Sequence, residues 1–424
     1  MKSKKKIPAH FRKMSVKDRQ RSIQEVYQLS SDEFEMIANR LDLSDLADVL
    51  VESSVGTFPI PLGLATGFLV DGEECVVPMA TEEPSVIAAA SHGARLIKAG
   101  GGFQTWADES VMSVQVFLMN PAEDATQKIQ GAKAEIQEQV NCLIPGMTER
   151  GGGFHGMDLE EISNPKSLCV TIHVNVCDAM GANIVNTVAE SIKGRLADLS
   201  GGEVLMAIVT NSSQNRKAGA SFSIPCKAFH KGEFSGEEIC KRIVAATEIA
   251  NANQERAVTH NKGIMNGITA LALVTGNDTR AIEAGAYLWA QRDGQMKSLT
   301  HYSFEDGMLK GSIELPLALG TVGGSISSWP ASQFSLKILG NPNAQRLSQM
   351  AAALGLAQNL AALFALVSEG IQSGHMRLHA ARIAYAVGAR GEEIRTLASE
   401  LWNEKAMDPD QAKALLEKMR SEHA

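Results

Sequence analysis

From Val111 to Thr210 the chain follows an order that few folds accommodate. Alternating apolar residues predict a strand over Val111 to Leu118, a charged run predicts one long helix over Asp124 to Val140, and Leu168 to Val176 predicts a second strand. Asp178-Ala179-Met180-Gly181-Ala182-Asn183 then opens a helix, and Val204 to Thr210 reads as a third strand. Strand, helix, strand, helix, strand, with turns that suit antiparallel neighbours, predicts a small α+β domain. At 424 residues the chain exceeds the size at which one hydrophobic core stops growing, so this domain is expected as an insertion between two parts of a larger one.

The flanks read mostly as helix. Ser15-Val16-Lys17-Asp18 and Ser30-Ser31-Asp32-Glu33 both have the cap-then-acid spacing that satisfies the first free N–H groups of a helix, so two or three short helices are expected between Met14 and Leu50. Val51 to Val77, with Pro59, Pro61 and four glycines, reads as strand and loop. Pro84 opens an alanine-rich helix to Ala99, which puts Glu82 and Glu83 at a helix N-terminus, and Gly100-Gly101-Gly102 ends it. From Ser235 onward helices are expected to dominate. Leu347 to Val367, rich in alanine and leucine, is expected to be buried, and Gly370 with Gly374 reads as a hinge before the last segment.

Composition removes several classes of function. With 44% apolar and 21% charged residues and a net charge of -8, the chain reads as a soluble globular protein and not as a general nucleic-acid binder. No apolar run approaches the ~20 residues that span a bilayer, and the basic start Met1 to Lys6 lacks the apolar stretch of a secretory signal, so a cytoplasmic protein without membrane attachment is expected. The six cysteines show no C-x-x-C spacing and read as reduced packing thiols. Gly151-Gly152-Gly153-Phe154-His155-Gly156 fits G-x-G-x-x-G, but no strand precedes it and no helix opens inside it, so a Rossmann reading is set aside. His375 and His379 have the spacing of paired metal ligands, yet Met376 stands where a zinc protease needs glutamate, and no metal is expected.

Chemistry is concentrated elsewhere. Asn261-Lys262-Gly263-Ile264-Met265-Asn266-Gly267 and Gly276-Asn277-Asp278-Thr279-Arg280 place a lysine and an aspartate at the two ends of one apolar run, Ile268 to Val274, which reads as a buried strand or helix segment. Glycine beside the lysine frees the backbone for close approach to a ligand, and the Asn266 amide both donates and accepts; turn glycines around a solvated lysine are the alternative. Asp178, as an acid at a helix N-cap followed by small residues, lets a polar ligand reach backbone N–H groups, although a capped helix without a ligand reads the same. His375, at the start of a helix after the glycine break, suits proton transfer near neutral pH, with a histidine satisfied at a helix end as the alternative.

Taken together these segments resemble 3-hydroxy-3-methylglutaryl-coenzyme A reductases of the class II, bacterial and archaeal type. The resemblance covers nearly the whole chain. It rests on Thr81-Glu82-Glu83-Pro84-Ser85, Ala88-Ala89-Ala90-Ser91, Asp178 to Asn183 with Asn186-Thr187, Asn261 to Gly267, Gly276-Asn277-Asp278 with Arg280-Ala281, Gly320 to Gly324, and Gly374-His375-Met376. It implies reduction of the thioester of hydroxymethylglutaryl-coenzyme A to mevalonate and coenzyme A, or the reverse, through two hydride transfers with NAD(P)H. Lys262 matches the lysine that stabilises the oxyanion formed by hydride addition. Glu83 matches the glutamate that donates a proton to the intermediate carbonyl, and Asp278 the aspartate that hydrogen-bonds both. His375 matches the histidine that protonates the departing thiolate from a C-terminal flap. Ser85, Arg256 and Asn266 match positions that hold the substrate carboxylate or the lysine, and Arg12 a basic position near the coenzyme A phosphates. Asp178, Met180, Gly181, Asn183, Asn186 and Asn211 fall where the family binds the nicotinamide nucleotide.

The fold so implied is α+β and multidomain. A large helix-rich substrate-binding domain (1–108 and 216–370) holds an inserted small ferredoxin-like, non-Rossmann nucleotide-binding domain (109–215), and a helical flap follows (371–424). A homodimer with active sites at the subunit boundary is implied as well. The chain departs from the family pattern at Ser53, Thr279 and Arg382, none of them among the four catalytic positions. NAD-preferring relatives carry an acid ahead of the glycine triplet, and Asn141 to Thr148 contains none, so NADPH or dual use is expected. The rival reading, a catalytically silent paralogue that binds coenzyme A thioesters, is disfavoured because all four catalytic positions are present.

Overall fold

The computed structural model describes residues 6–8, 10–368, 370, 372–403 and 408–422, with the side chains of 372–378 and 422 left aside. Three short helices, α1 (Val16–Tyr27), α2 (Ser31–Ile37) and α3 (Ser44–Leu50), open the chain. Ser15 caps α1 by accepting from the Asp18 N–H, and Ser30 with Glu33 closes a reciprocal capping box on α2, as their spacing predicts. An antiparallel hairpin of β1 (Leu62–Val70) and β2 (Glu73–Ala80) follows, and then α4 (Val86–Lys98), entered through Ser85 in the left-handed region at φ 75°.

β3 (Gln104–Ala107) leads to β4 (Val111–Met119) and the inserted unit. The long helix expected from Asp124 is two helices, α5 (Ala125–Gly131) and α6 (Lys133–Leu143), because Ala132 leaves helical geometry at φ -88°, ψ 7°. The short α7 (Pro145–Thr148), β5 (Gly153–Ile162), β6 (Ser167–Asn175), α8 (Ala182–Ser200) and β7 (Glu203–Thr210) complete it. Its sheet has the order β5-β6-β4-β7, antiparallel throughout. Sequence reading missed β5 because it is an edge strand: Asp158, Glu160 and Glu161 face water and break the apolar alternation. The glycine triplet opens this strand and not a helix, in agreement with rejecting a dinucleotide fingerprint. Val114, Val116, Ile172 and Val174 pack against Ile129, Ile136, Val188 and Ile192 in a core of their own.

After the insertion come β8 (Lys217–Pro225), α9 (Gly236–Ala252), α10 (Gln254–Val274), α11 (Thr279–Ala290), β9 (Thr300–Glu305), β10 (Met308–Pro316), α12 (Pro330–Ile338) and α13 (Ala344–Val367). Helices dominate beyond Ser235 as expected, with β9 and β10 as two strands among them. These strands join β8 and β3 in a sheet of order β3-β8-β10-β9, in which Thr105 pairs with Ala220. That pairing stitches the chain before the insertion to the chain after it. The six cysteines are free thiols.

α13 is the central rod of this body. By length and composition it is apolar enough to cross a bilayer, contrary to the expectation that no segment is, but 78% of its apolar window is buried inside the protein. α14 (Gln372–Ala386), α15 (Glu392–Asn403) and α16 (Pro409–Glu422) end the chain around a separate core of Ile383, Leu397, Leu401 and Leu416. Gly374 lies inside α14, so the backbone break falls before the helix, where Gly370 takes φ 81°.

α4 reaches α13 to backbone contact at Gly93, where any Cβ would collide with the Ala357 carbonyl. Gly93→Ala is expected to force the two helices apart and lower stability by about 1–3 kcal/mol. Thermal unfolding measures it, and an unchanged midpoint would contradict the contact.

Candidate active site

The whole segment Asn261 to Gly267 lies inside α10, which corrects the turn reading of its glycines. Lys262 and Asn266, four residues apart, share one helix face, while Asn261, Ile264, Met265 and Ile268 are buried. Gly267 faces Leu354 and Gln358 of α13, so it serves helix packing. At Gly263 a side chain would meet nothing within 4 Å, so this glycine leaves open room beside the lysine.

Lys262 meets Glu83 across that room. Its Nζ lies 2.8 Å from Glu83 Oε2, and Asn266 Nδ2 donates to Glu83 Oε1 at 3.4 Å. Glu83 sits in the turn before α4, with its backbone N–H donating to Thr81 Oγ1 at 3.1 Å. Both members of the ion pair are half-exposed, at 56% and 38% of the side chain. Thr81, Glu82, Glu83 and Ser85 wall a cleft of ≈ 2190 Å³ that also carries Arg12, Arg95 and Lys98. Burial, and then the charge of Arg12, lower the Arg95 guanidinium from its usual range, so two like charges face one opening. Glu73 and Glu74 line the same cleft and Lys98 is paired with Glu74 at 2.7 Å, so the positive charge offered to an anion is that of Arg12 and Arg95. Arg256 lies in the first turn of α10, about 9 Å along the axis from Lys262.

Asp278 is not with them. It caps α11, accepting from the Arg280 and Ala281 N–H groups at 2.9 and 3.2 Å, and pairs with the Arg280 guanidinium at 3.2 Å. Its neighbour Asn277 grips Gly320 from both sides, Nδ2 donating to the carbonyl at 3.1 Å and Oδ1 accepting from the N–H at 2.7 Å. Gly320 in turn lies against Met180, where a Cβ would collide with the Met180 backbone nitrogen. Thr321 N–H donates to the Asp178 carbonyl, and Ala179 bridges to Val322. Asp278 is thus linked, through its neighbour Asn277 and Gly320, to the loop of residues 178–181.

In that loop Asp178 is not the N-cap of its own helix, as expected from sequence. Gly181, at φ 100°, takes that position, and the Asp178 carboxylate accepts from Ala344 N–H at the start of α13. Asn183 and Asn211 are exposed, whereas Asn186 Oδ1 accepts from Val209 N–H and so ties α8 to β7. α8 begins without a side-chain cap, which leaves its first N–H groups to an anion. Sequence reading missed Arg216, which organises the loop. Its buried guanidinium donates to the carbonyls of Ala179, Met180 and Leu319, and burial pushes it down to about 10 against the opposing effect of Asp178. In sequence it is one of two basic residues before a strand, and only burial distinguishes it. The side chain of His375, on α14, lies outside the described residues.

Behind Lys262 is a buried polar cluster. His260 Nε2 lies 2.8 Å from Thr300 Oγ1, 2.8 Å from Ser298 Oγ and 3.0 Å from Asn359 Nδ2. Burial first, and Arg256 second, push His260 down to about 4. Among the described residues no group of three His, Cys, Asp or Glu side chains is arranged to hold a metal ion.

Comparison with known proteins bears on this arrangement. Residues 15–380 match the family described as hydroxymethylglutaryl-coenzyme A reductase. A 3-hydroxy-3-methylglutaryl-coenzyme A reductase of Archaeoglobus fulgidus is 42% identical over 422 residues, 98% of this chain and 95% of the relative. A probable enzyme of the same name from Borreliella burgdorferi is 33% identical over 380 residues, 89% and 87% of the two chains. The structure of the Streptococcus pneumoniae reductase superposes with a TM-score of 0.82 at 40% identity, covering 97% of this chain and 99% of that one. A class II structure from the same organism, bound to NADPH in open conformations, gives 0.81 at 40% identity over 96% and 100%.

Two outcomes follow from the buried groups. Arg216→Met leaves at least three carbonyls without their donor and is expected to cost about 3 kcal/mol in thermal unfolding; a variant as stable as the parent would contradict the anchoring role. His260 is neutral when folded, but near pH 6.5 it titrates in the unfolded chain. Its contribution to stability is therefore complete above about pH 6.5 and is lost as pH falls from there toward 4. His260→Gln should flatten that part of the stability–pH curve, and an unchanged slope would count against a buried neutral imidazole.

Proposed function

This chain belongs to the hydroxymethylglutaryl-coenzyme A reductase family, and on that footing we propose how its own residues divide the reduction of 3-hydroxy-3-methylglutaryl-coenzyme A to mevalonate and coenzyme A. The chain is an oxidoreductase of this substrate. The single observation that carries the division of roles is the 2.8 Å pair of Lys262 and Glu83 beside a cleft that carries Arg12 and Arg95.

Hydride addition to a thioester carbonyl creates an oxyanion. Lys262 is the cation placed to meet it, and a pre-set donor of this kind is worth on the order of 10²–10³ in rate. Glu83, within hydrogen-bond reach of the lysine, is the proton donor to the intermediate carbonyl, and Asn266 keeps its second oxygen oriented. Ser85 and Arg256 hold the substrate carboxylate, and Arg12, with Arg95 as neighbour, takes the coenzyme A phosphates. His375 on α14 hands a proton to the leaving thiolate.

Reduced nicotinamide nucleotide supplies the two hydrides. The residues that fit it are Asp178, Met180, Gly181 and Asn183 at the uncapped start of α8, with Asn186 and Asn211 beside them. Support for NADPH comes from the acid-free stretch Asn141 to Thr148 and from the NADPH carried by the pneumococcal relative. We divide the chain at 1–108, 109–215, 216–370 and 371–424, with the ferredoxin-like order β5-β6-β4-β7 as the nucleotide domain, and assign it to the cytoplasm.

One copy holds these parts in two places. α10 runs about 18 Å from Lys262 to Val274, and Asp278 lies beyond that end, joined through Asn277 and Gly320 to the nucleotide loop. Reacting atoms must approach to about 3–3.5 Å. The reading that reconciles these facts is a homodimer in which Asp278 and the nucleotide loop of one copy complete the Glu83–Lys262 site of the other. The segment 49–62 supports it, since Val55 and Phe58 are exposed at 105% and 89% with no cover of their own.

Mixing inactive Lys262→Ala and Asp278→Ala chains tests this directly. Across a dimer, the mixture regains about a quarter of the wild-type sites, because each mixed dimer keeps one intact pair; within one chain it regains none. Steady-state kinetics with both cofactors should give a higher kcat/KM with NADPH than with NADH, and a strong NADH preference would overturn that assignment.

A further inference from the structure

We infer that His260 is a positioning residue for Lys262: together with Asn261 it locks the rotation of α10, so that the lysine leaves the helix toward Glu83. The inference rests on the role proposed above for Lys262 and concerns two buried side chains that this role does not use.

Apolar packing alone leaves the rotation of α10 loosely fixed. Its buried Ile264 and Ile268 lie against Gly355 of α13, which has no side chain to interlock with them, and Leu271 is buried on the same helix. Burial of apolar area has no direction, and a helix turned by part of a residue spacing buries nearly as much. Hydrogen bonds do have direction. Asn261, fully buried, donates from Nδ2 to the Lys297 carbonyl at 2.8 Å and accepts at Oδ1 from Leu299 N–H at 3.0 Å, so both ends of its amide are fixed by the backbone leading into β9.

His260 adds a second direction. Asn359 on α13 accepts at Oδ1 from the Tyr302 hydroxyl at 2.9 Å and from Thr300 Oγ1 at 3.0 Å, which sets its amide so that Nδ2 points at His260 Nε2. Nε2 thus meets three polar groups, Asn359 Nδ2, Thr300 Oγ1 and Ser298 Oγ, while Nδ1 is buried with no partner among the described residues. Through this one ring α10, β9 and α13 meet. Successive helical residues point about 100° apart; with the directions of His260 and Asn261 fixed inward, that of Lys262 is fixed outward, where its side chain is 56% exposed and reaches Glu83. A misplacement of about 1 Å at such a group lowers turnover by up to about 10²-fold.

Kinetics on the full-length enzyme separates this role from simple stabilisation. His260→Leu, assayed well below its own melting temperature, should lose about tenfold or more in kcat with KM for the thioester within about twofold of the parent. His260→Gln, whose amide can both donate and accept toward Asn359, Thr300 and Ser298, should recover most of kcat. Leu271→Ala, a buried change on the same helix, is the control for stability loss and should keep the kcat of its folded fraction. If His260→Leu does not fold, Thr300→Val, which removes one hydroxyl facing Nε2, should show a smaller loss with the same split. A variant at His260 or Thr300 with parental kcat, or a loss no larger than that of Leu271→Ala at equal melting temperature, overturns the inference. Lys262→Ala with parental kcat would instead overturn the role of Lys262 itself.

Discussion

The site exists because α4 and α10 both approach α13 to near-backbone contact. Gly93 admits the Ala357 carbonyl, and Gly267 and Gly355 remove the side chains that would hold α10 away. α13 is buried nearly all round, which leaves it no face on which to tilt toward water. Two helices laid closely on one rigid rod have fixed positions relative to each other. That is what brings the turn before α4, with Glu83, beside the middle of α10, with Lys262, although the two residues lie far apart in sequence.

A second constraint works at the start of the same rod. The N-terminus of α13 is met by the Asp178 carboxylate, a favourable charge at a positive helix end. Around it Arg216, Asn277 and Gly320 knot the start of α8 to the entry of α11. Arg216 contributes only donors and the loop presents only carbonyls, so a cation satisfies what no neutral side chain at that point does with one group. The knot joins the inserted domain to the body at the place where nucleotide and Asp278 are assigned. The Glu83–Lys262 pair and the loop of residues 178–181 are thus each held by their own contacts, and their separation along α10 is a property of the single chain.

Much of this was legible before the structure. The caps at Ser15 and Ser30, the strands β4, β6 and β7, and the buried stretch that became α13 follow from local pattern, because each satisfies its own hydrogen bonds or buries its own face. β5, β9 and β10 were not legible: an edge strand or a strand in a polar-faced sheet owes its existence to a distant partner and not to its own alternation. At the site, Lys262, Glu83 and Asn266 were singled out from sequence and meet in space. Asp178 was singled out for the wrong local reason, since it caps α13 and not α8. Arg216 and His260 carried no signal at all, because their roles consist of burial, which a single sequence does not display.

That contrast has a physical sense. An ion pair as exposed as Glu83 and Lys262 contributes about 1 kcal/mol or less to stability, so the fold does not depend on it. The groups on which the fold does depend, Arg216, Asn261 and His260, are buried and keep one protonation state through the working range of pH. In the roles proposed for it, the pair exchanges protons during turnover and so changes its charge at every cycle. Were it also a structural tie, each cycle would loosen the helices that position it. With the ties buried behind the lysine and the pair itself half-exposed, the proposed chemistry would proceed on a scaffold whose own electrostatics stay constant.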